Sequence, residues 1–224
     1  MKLVFKFLFI VCVIVLTSSR LCAGDSTKYN VVTGGLKIGV LNWDLFIDDG
    51  EYVFEVTLKS KRYLTSLLGF SGSYLARGSV YNDSFTPSFY SQDWKTSKKN
   101  RKIEIVFKKN KVFKLTQSPP EQEFSRITYE ETYEYLDPLT SFLNVLSGYD
   151  ESKTIDGRRV YSIVLGESKS QNIKNYTIKN FKNIWADHKR NDLDQIKIIN
   201  EKSSYAPKEI HITFKDRVFK LIKD

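Results

Sequence analysis

The sequence predicts a mostly β domain: a strongly curled antiparallel sheet or a partly open β-barrel, with two short helices covering an end or the concave face. Three observations carry this. Alternation of apolar and polar residues with period two dominates the chain after its first 23 residues. Turn-forming residues punctuate that alternation at short intervals, which makes neighbouring strands antiparallel. Two segments break the alternation and carry helical spacing instead.

The chain opens MKLVFKFLFIVCVIVLTSSRLCAG. Lys2 and Lys6 give a positive start, an apolar run from Phe7 to Leu16 follows, and then come the polar Thr17, Ser18, Ser19 and Arg20. This is the layout of a secretory signal peptide, residues 1–23, with cleavage expected after Ala23 and Ser19 as the other site. The apolar run is shorter than the roughly 20 residues of a spanning helix. The alternative is an uncleaved N-terminal segment anchoring the chain to the inner membrane. Cys22 follows Ser19-Arg20-Leu21, and the charged arginine suits a lipid-attachment box poorly.

Residues 24–224 then form a single β-rich domain of roughly 200 residues, enough for one sizeable core and too few for two. Both cysteines, Cys12 and Cys22, leave with the signal, so neither a disulfide nor a thiol nucleophile remains. Lys2, Lys6 and Arg20 account for three of the +9 net charge, leaving +6 on the exported domain. Attraction to anionic headgroups is available, although the Lys- and Asn-rich, Ala-poor composition accounts for the basicity as base-composition drift. Export sets nucleic acid aside as a partner.

In GEYVFEVTLKSK, Tyr52, Phe54, Val56 and Leu58 share one face of a strand, and the Asp-Asp-Gly at 48–50 joins it as a hairpin to LKIGVLNWDLFI. Further strands are expected at 73–82, 86–95, 102–108, 111–117, 159–166, 173–181, 194–200, 208–214 and 217–222. Residues 118–136, with Pro119-Pro120 and the acidic YEETYEY, read as an excursion from the sheet.

RYLTSLLGF is expected to form the first helix, at 62–69, with Tyr63, Leu64, Leu67 and Leu68 on one face. YLDPLTSFLNVLSGY carries the second, at 137–148. Asp137 stands at the N-cap, Pro138 at the first helical position and Gly148 at the left-handed stop. Leu139, Phe142, Leu143 and Leu146 recur at helical spacing, while Thr140, Ser141 and Asn144 are expected to point elsewhere. The apolar stripe either plugs the sheet or lines a ligand cavity.

Four fragments together are similar to a bacterial family catalogued as domain of unknown function 3108. YNVVTGGLKIGVLNWDL resembles its N-terminal strand, with the step Gly35-Leu36-Lys37-Ile38-Gly39. YLDPLTSFLNVL resembles its Asp-Pro-led helix, TIDGRRVYSIVL its DGRR hairpin, and YAPKEIHI its closing strand, with Ala206 where the family pattern has leucine. The resemblance implies a secreted or periplasmic, β-rich, uncharacterised domain with a curled sheet akin to lipoprotein carriers. It carries over no catalytic residue.

A search for chemistry finds little. His188 lies in the polar WADHKRND and His211 alternates with Ile210 and Ile212 on a strand, so the two show no metal-ligand spacing. Neither a Gly-x-Ser-x-Gly elbow nor a Gly-x-x-x-x-Gly-Lys loop occurs. No cofactor or metal is expected, and no catalytic residue is assigned. Glu130, Glu131, Glu134 and Asp137 form the one dense acidic cluster, an exposed loop unless burial splits their acidities. Arg158 and Arg159 follow Asp156-Gly157. Either Asp156 and one of the two arginines pin the hairpin, or both guanidiniums on the tight turn contact an anion such as a phosphate or carboxylate. Tyr81, Phe85, Phe89 and Tyr90 are expected to pack in the core, with a cavity wall as the alternative.

These readings converge on a non-catalytic, periplasmic or secreted domain that binds an apolar or amphiphilic molecule, such as a lipid, in envelope upkeep. Leu139, Phe142, Leu143 and Leu146 are its candidate cavity lining. The alternatives are a scaffold that docks another envelope protein through a sheet edge or aromatic patch, and an enzyme that uses the acidic cluster.

Overall fold

Alternation translates into strands because successive side chains of an extended chain point to opposite faces. The computed structural model describes residues 24–60, 69–167, 170, 172–185, 192–200 and 205–224. Seven strands come first: β1 (Gly24–Thr33), β2 (Leu36–Asp48), β3 (Glu51–Ser60), β4 (Phe70–Tyr81), β5 (Ser84–Thr96), β6 (Asn100–Lys108) and β7 (Lys111–Ser118). A 3-10 turn (Glu130–Thr132) and the helix α1 (Pro138–Ser147) follow. Six more strands complete the chain: β8 (Glu151–Ile155), β9 (Arg159–Leu165), β10 (Ile173–Asn183), β11 (Leu193–Ile199), β12 (Glu209–Phe214) and β13 (Arg217–Lys223). In β3, Tyr52, Phe54 and Val56 are buried while Glu51, Val53 and Glu55 are exposed, as the alternation requires.

All thirteen strands belong to one antiparallel sheet in the order β7-β6-β5-β4-β3-β2-β1-β13-β12-β11-β10-β9-β8. The chain steps outward by hairpins from β1 to β7, crosses through residues 119–150 to β8, and steps back to β13. There β13 pairs with β1, Tyr29 opposite Lys223. The sheet is not closed by pairing between its edges, β7 and β8.

Local chemistry sets the corners. The Gly34-Gly35 turn between β1 and β2 has positive φ at both residues, a conformation glycine reaches without steric cost. At Gly39 a Cβ would stand 2.7 Å from the carbonyl oxygen of Lys59, so only glycine lets β2 approach β3 this closely. The hairpin implied at TIDGRRVYSIVL is β8–β9, with Gly157 at φ 84°. The strand β8 itself gave no alternation strong enough to be read from periodicity.

Among the described residues α1 is the only α-helix. The helix expected at 62–69 lies, but for Gly69, outside the described residues, so one of the two expected helices is found among the described residues. Helix α1 forms as its caps dictate. Asp137 Oδ1 accepts the backbone N–H of Leu139 and of Thr140, both at 3.0 Å, Pro138 opens the helix, and Gly148 closes it at φ 107°.

The orientation of α1 corrects the expectation. Thr140, Ser141 and Asn144 do not point away from the core but are buried, together with Leu143 and Val145. The cause is hydrogen bonding. Tyr52 Oη lies 2.6 Å from Thr140 Oγ1, Thr154 Oγ1 donates to Ser141 Oγ at 2.8 Å, and Asn144 bonds the backbone of Phe85. Strands stand on several sides of the helix, so polar groups beside Leu143 are covered too. Of the expected stripe only Leu143 is fully buried; Leu139, Phe142 and Leu146 are half-buried against the core.

Candidate functional site

Half-burial of Leu139 and Phe142 has a geometric cause. Both border a cavity of about 360 Å³ between α1 and the sheet. Its apolar wall includes Leu41 and Trp43 of β2, Val56 and Leu58 of β3, Ile210 and Ile212 of β12, and Leu221 of β13. Each strand presents these side chains at period two, so the same alternation that makes the strand also makes the wall. Trp43 meets Phe142 edge to face, with ring centroids 5.7 Å apart. Leu143 and Leu146, expected to line a cavity with them, do not border this one; Leu143 is wholly buried in the core instead.

The polar end comes from the β8–β9 hairpin and from β4 and β5: Asp156, Arg159, Tyr161, Tyr74, Tyr90 and Gln92. Asp156 organises the hairpin. Its Oδ1 accepts the backbone N–H of Arg158 at 2.9 Å and of Arg159 at 2.8 Å. Its Oδ2 accepts Arg159 Nε at 2.7 Å and lies 2.6 Å from Nη2. Asp156 and one arginine thus pin the hairpin, as the structural reading of the sequence has it, and the two guanidiniums do not converge on one point. Arg159 turns into the cavity, while Arg158 stands outside it with Nε 3.8 Å from Glu121.

Beneath the helix start, Asp137 is fully buried. Burial pushes its carboxyl up to about 6, opposed by the hydroxyl and N–H of Thr140 and the N–H of Leu139. Thr140 Oγ1 donates to Asp137 Oδ2 and faces Tyr52 Oη, so a hydrogen-bonded chain runs from β3 to the helix cap. The proton of Tyr52 is held more tightly than in a free phenol, first by burial and then by the charge of Asp137.

Other sequence candidates lie elsewhere. Glu130, Glu131 and Glu134 are exposed. Glu130 pairs with Lys111 at 2.5 Å and Glu134 with Lys153 at 3.6 Å. Glu131 and Thr128 cap each other's backbone N–H, which holds the Glu131 carboxyl below its ordinary range. The cluster builds the 3-10 turn; it does not form a buried pair of split acidity. His211 sits beside Glu209 at 2.9 Å, and His188 falls outside the described residues. Among the described residues no group of three or more His, Cys, Asp or Glu side chains is placed to hold a metal ion. Phe85 and Tyr90 are core residues as expected, but Tyr81 is 79% exposed and Phe89 half-buried beneath the guanidinium of Arg77. Tyr81 is the last residue of β4, at the turn to β5.

A second, somewhat more enclosed pocket of about 440 Å³ lies beside α1, bordered by Phe85, Phe107, Tyr135, Glu134 and Lys153. Within it Glu134 pairs with Lys153. Alternation along β9 carries a sequence signal for the polar end of the cavity behind Phe142, since it puts Tyr161 on the face of Arg159.

The fold and site define a class: a mostly β domain built on one antiparallel sheet, with a capped helix bordering an apolar cavity that has a polar end. The chain belongs to the family described as "Protein of unknown function (DUF3108)", whose model matches residues 28–198. No curated protein and no solved structure matches it.

Proposed function

We propose that this chain is a non-catalytic, exported binding domain whose strongly curled sheet holds an apolar or amphiphilic molecule, such as a lipid, behind Leu139 and Phe142. The observation that carries this reading is the cavity of about 360 Å³ with apolar walls and one polar end. Its volume falls in the range of roughly 300–1,000 Å³ typical of small-ligand sites. Apolar area left open there gains about 25 cal/mol per Å² when a ligand covers it.

Strong curl is supported by the edges of the sheet. Thirteen strands laid flat would span roughly 55–60 Å at their usual spacing. Yet Glu134 N donates to Asn110 O beside β7, and Leu136 N, two residues on, donates to Lys153 O of β8. Two residues of chain reach about 7 Å at most. Gln117 of β7 also donates directly to the carbonyl of Gly157 at 3.2 Å. Residues 134–136 thus act as a seam between the edges of a partly open barrel. Ile155 N donates back to Leu136 O, so the β8 edge is occupied and a docking protein would need another surface.

Export rests on the charged-then-apolar pattern of residues 1–23 and gives the periplasm or the exterior as the working compartment. The test is native mass spectrometry and solvent extraction of residues 24–224, followed by titration with the fluorescent amphiphile N-phenylnaphthylamine. Co-purified lipid or saturable probe binding is expected. A clean apo species that does not bind the probe would sink the reading.

A further inference from the structure

At its polar end the cavity presents hydrogen-bond donors that no protein acceptor receives. Asp156 spends both oxygens on the N–H groups of Arg158 and Arg159 and on the Arg159 guanidinium. Gln92 Oε1 accepts from the Tyr90 hydroxyl at 3.3 Å. The hydroxyls of Tyr161 and Tyr74 and the amide N–H groups of Gln92 border the same space, and none makes a hydrogen bond among the described residues. Tyr161 is only 6% exposed as a residue, yet its hydroxyl is not sealed in the core and is open to the cavity. Burial raises the Tyr161 phenol above its ordinary value and pushes Tyr74 up to about 12. Both therefore remain neutral donors at physiological pH.

Charge at this end is already matched. The Arg159 guanidinium faces Asp156, and the Tyr90 and Tyr161 hydroxyls feel the carboxyls of both Asp137 and Asp156. A ligand carboxylate would bring a third negative group beside Asp137 and Asp156, against a single guanidinium whose charge Asp156 already balances, and excess charge of one sign in a largely buried corner is unfavourable. A neutral carbonyl accepts the spare donors and adds no charge.

We infer that the cavity selects an uncharged, carbonyl-headed amphiphile, an acyl ester or amide, over a free fatty carboxylate. Tyr161 and Tyr74 donate to the carbonyl oxygen, and the chain lies along Leu139, Phe142 and Ile212. This rests on the cavity being a ligand site, as proposed above.

The experiment displaces N-phenylnaphthylamine from residues 24–224 at pH 8 with the methyl ester, the carboxylate and the alkane of one chain length. The ester is expected to compete about tenfold better than the carboxylate. Tyr161→Phe and Tyr74→Phe are each expected to weaken the ester about three- to tenfold, one hydrogen bond's worth, and to leave the alkane unchanged. Each removes only an unbonded hydroxyl, so the fold is retained. A carboxylate that competes as well as the ester, or phenylalanine variants that bind the ester as tightly as wild type, overturns the head-group inference while leaving the cavity reading intact. Failure of the probe itself to bind overturns both.

Discussion

Asn144 pairs with Phe85 as a neighbouring strand would. Its side-chain Oδ1 accepts the Phe85 N–H at 2.8 Å, and its Nδ2 donates to the Phe85 carbonyl at 2.9 Å. One amide thus satisfies both backbone groups at the start of β5 and locks α1 to the sheet. Asn144→Ala leaves two buried backbone groups without partners. It should cost about 2–4 kcal/mol, read as a lower urea midpoint at unchanged m-value.

Asp137 predicts a pH dependence of unusual sign for a carboxyl. Its folded value is about 6, whereas an unfolded aspartate titrates near 3.9. Between these values the folded chain binds more protons than the unfolded chain. The contribution of Asp137 to stability is therefore greatest below about pH 4, is lost as pH rises through about 6, and is flat above that. The lost part is about 3 kcal/mol at most. Asp137→Asn keeps the cap without the charge, so urea unfolding of wild type and variant from pH 4 to pH 8 should show this fall in the wild type alone.

The adjacent arginines should respond differently to removal. Arg159→Ala strands the Asp156 carboxylate, which is largely buried, and should cost about 2–4 kcal/mol, moderated by the two backbone N–H groups Asp156 retains. Arg158→Ala removes a longer, more exposed contact with Glu121 and should cost less than about 1 kcal/mol. Equal losses in thermal or urea unfolding would contradict the split geometry.

Phe142 and Leu143 are chain neighbours with different duties. Phe142→Ala loses the edge contact with Trp43 and enlarges the cavity, costing about 1–3 kcal/mol and shifting preference towards bulkier probes. Leu143→Ala opens a void in the core, costing about 2–5 kcal/mol without changing that preference. Competition binding with probes of graded size separates the two.

If residues 1–23 form an export signal, the chain recovered from the periplasm of an exporting bacterium should begin at Gly24. N-terminal mass spectrometry reads this directly, and an intact Met1 in the membrane fraction would favour the anchor instead.

The sequence by itself determined what depends on near neighbours. Strand alternation follows from the two-residue repeat of an extended chain, as in Tyr52, Phe54 and Val56. The limits of α1 follow from Asp137, Pro138 and Gly148, whose capping geometry reaches no further than one turn. The family resemblance was legible for the same reason, in short fragments of fixed order. Tertiary structure decided which face of α1 is covered. Hydrophobic spacing placed Thr140, Ser141 and Asn144 outside, but their partners Tyr52, Thr154 and Phe85 lie between 13 and 88 residues away. Such pairings leave no periodic trace. The cavity belongs to the same class: β2, β3, β12 and β13 share its wall because β1 and β13 meet in mid-sheet. The separation of Arg158 from Arg159 follows from Asp156 turning one guanidinium inward, a choice made by the packing around the hairpin.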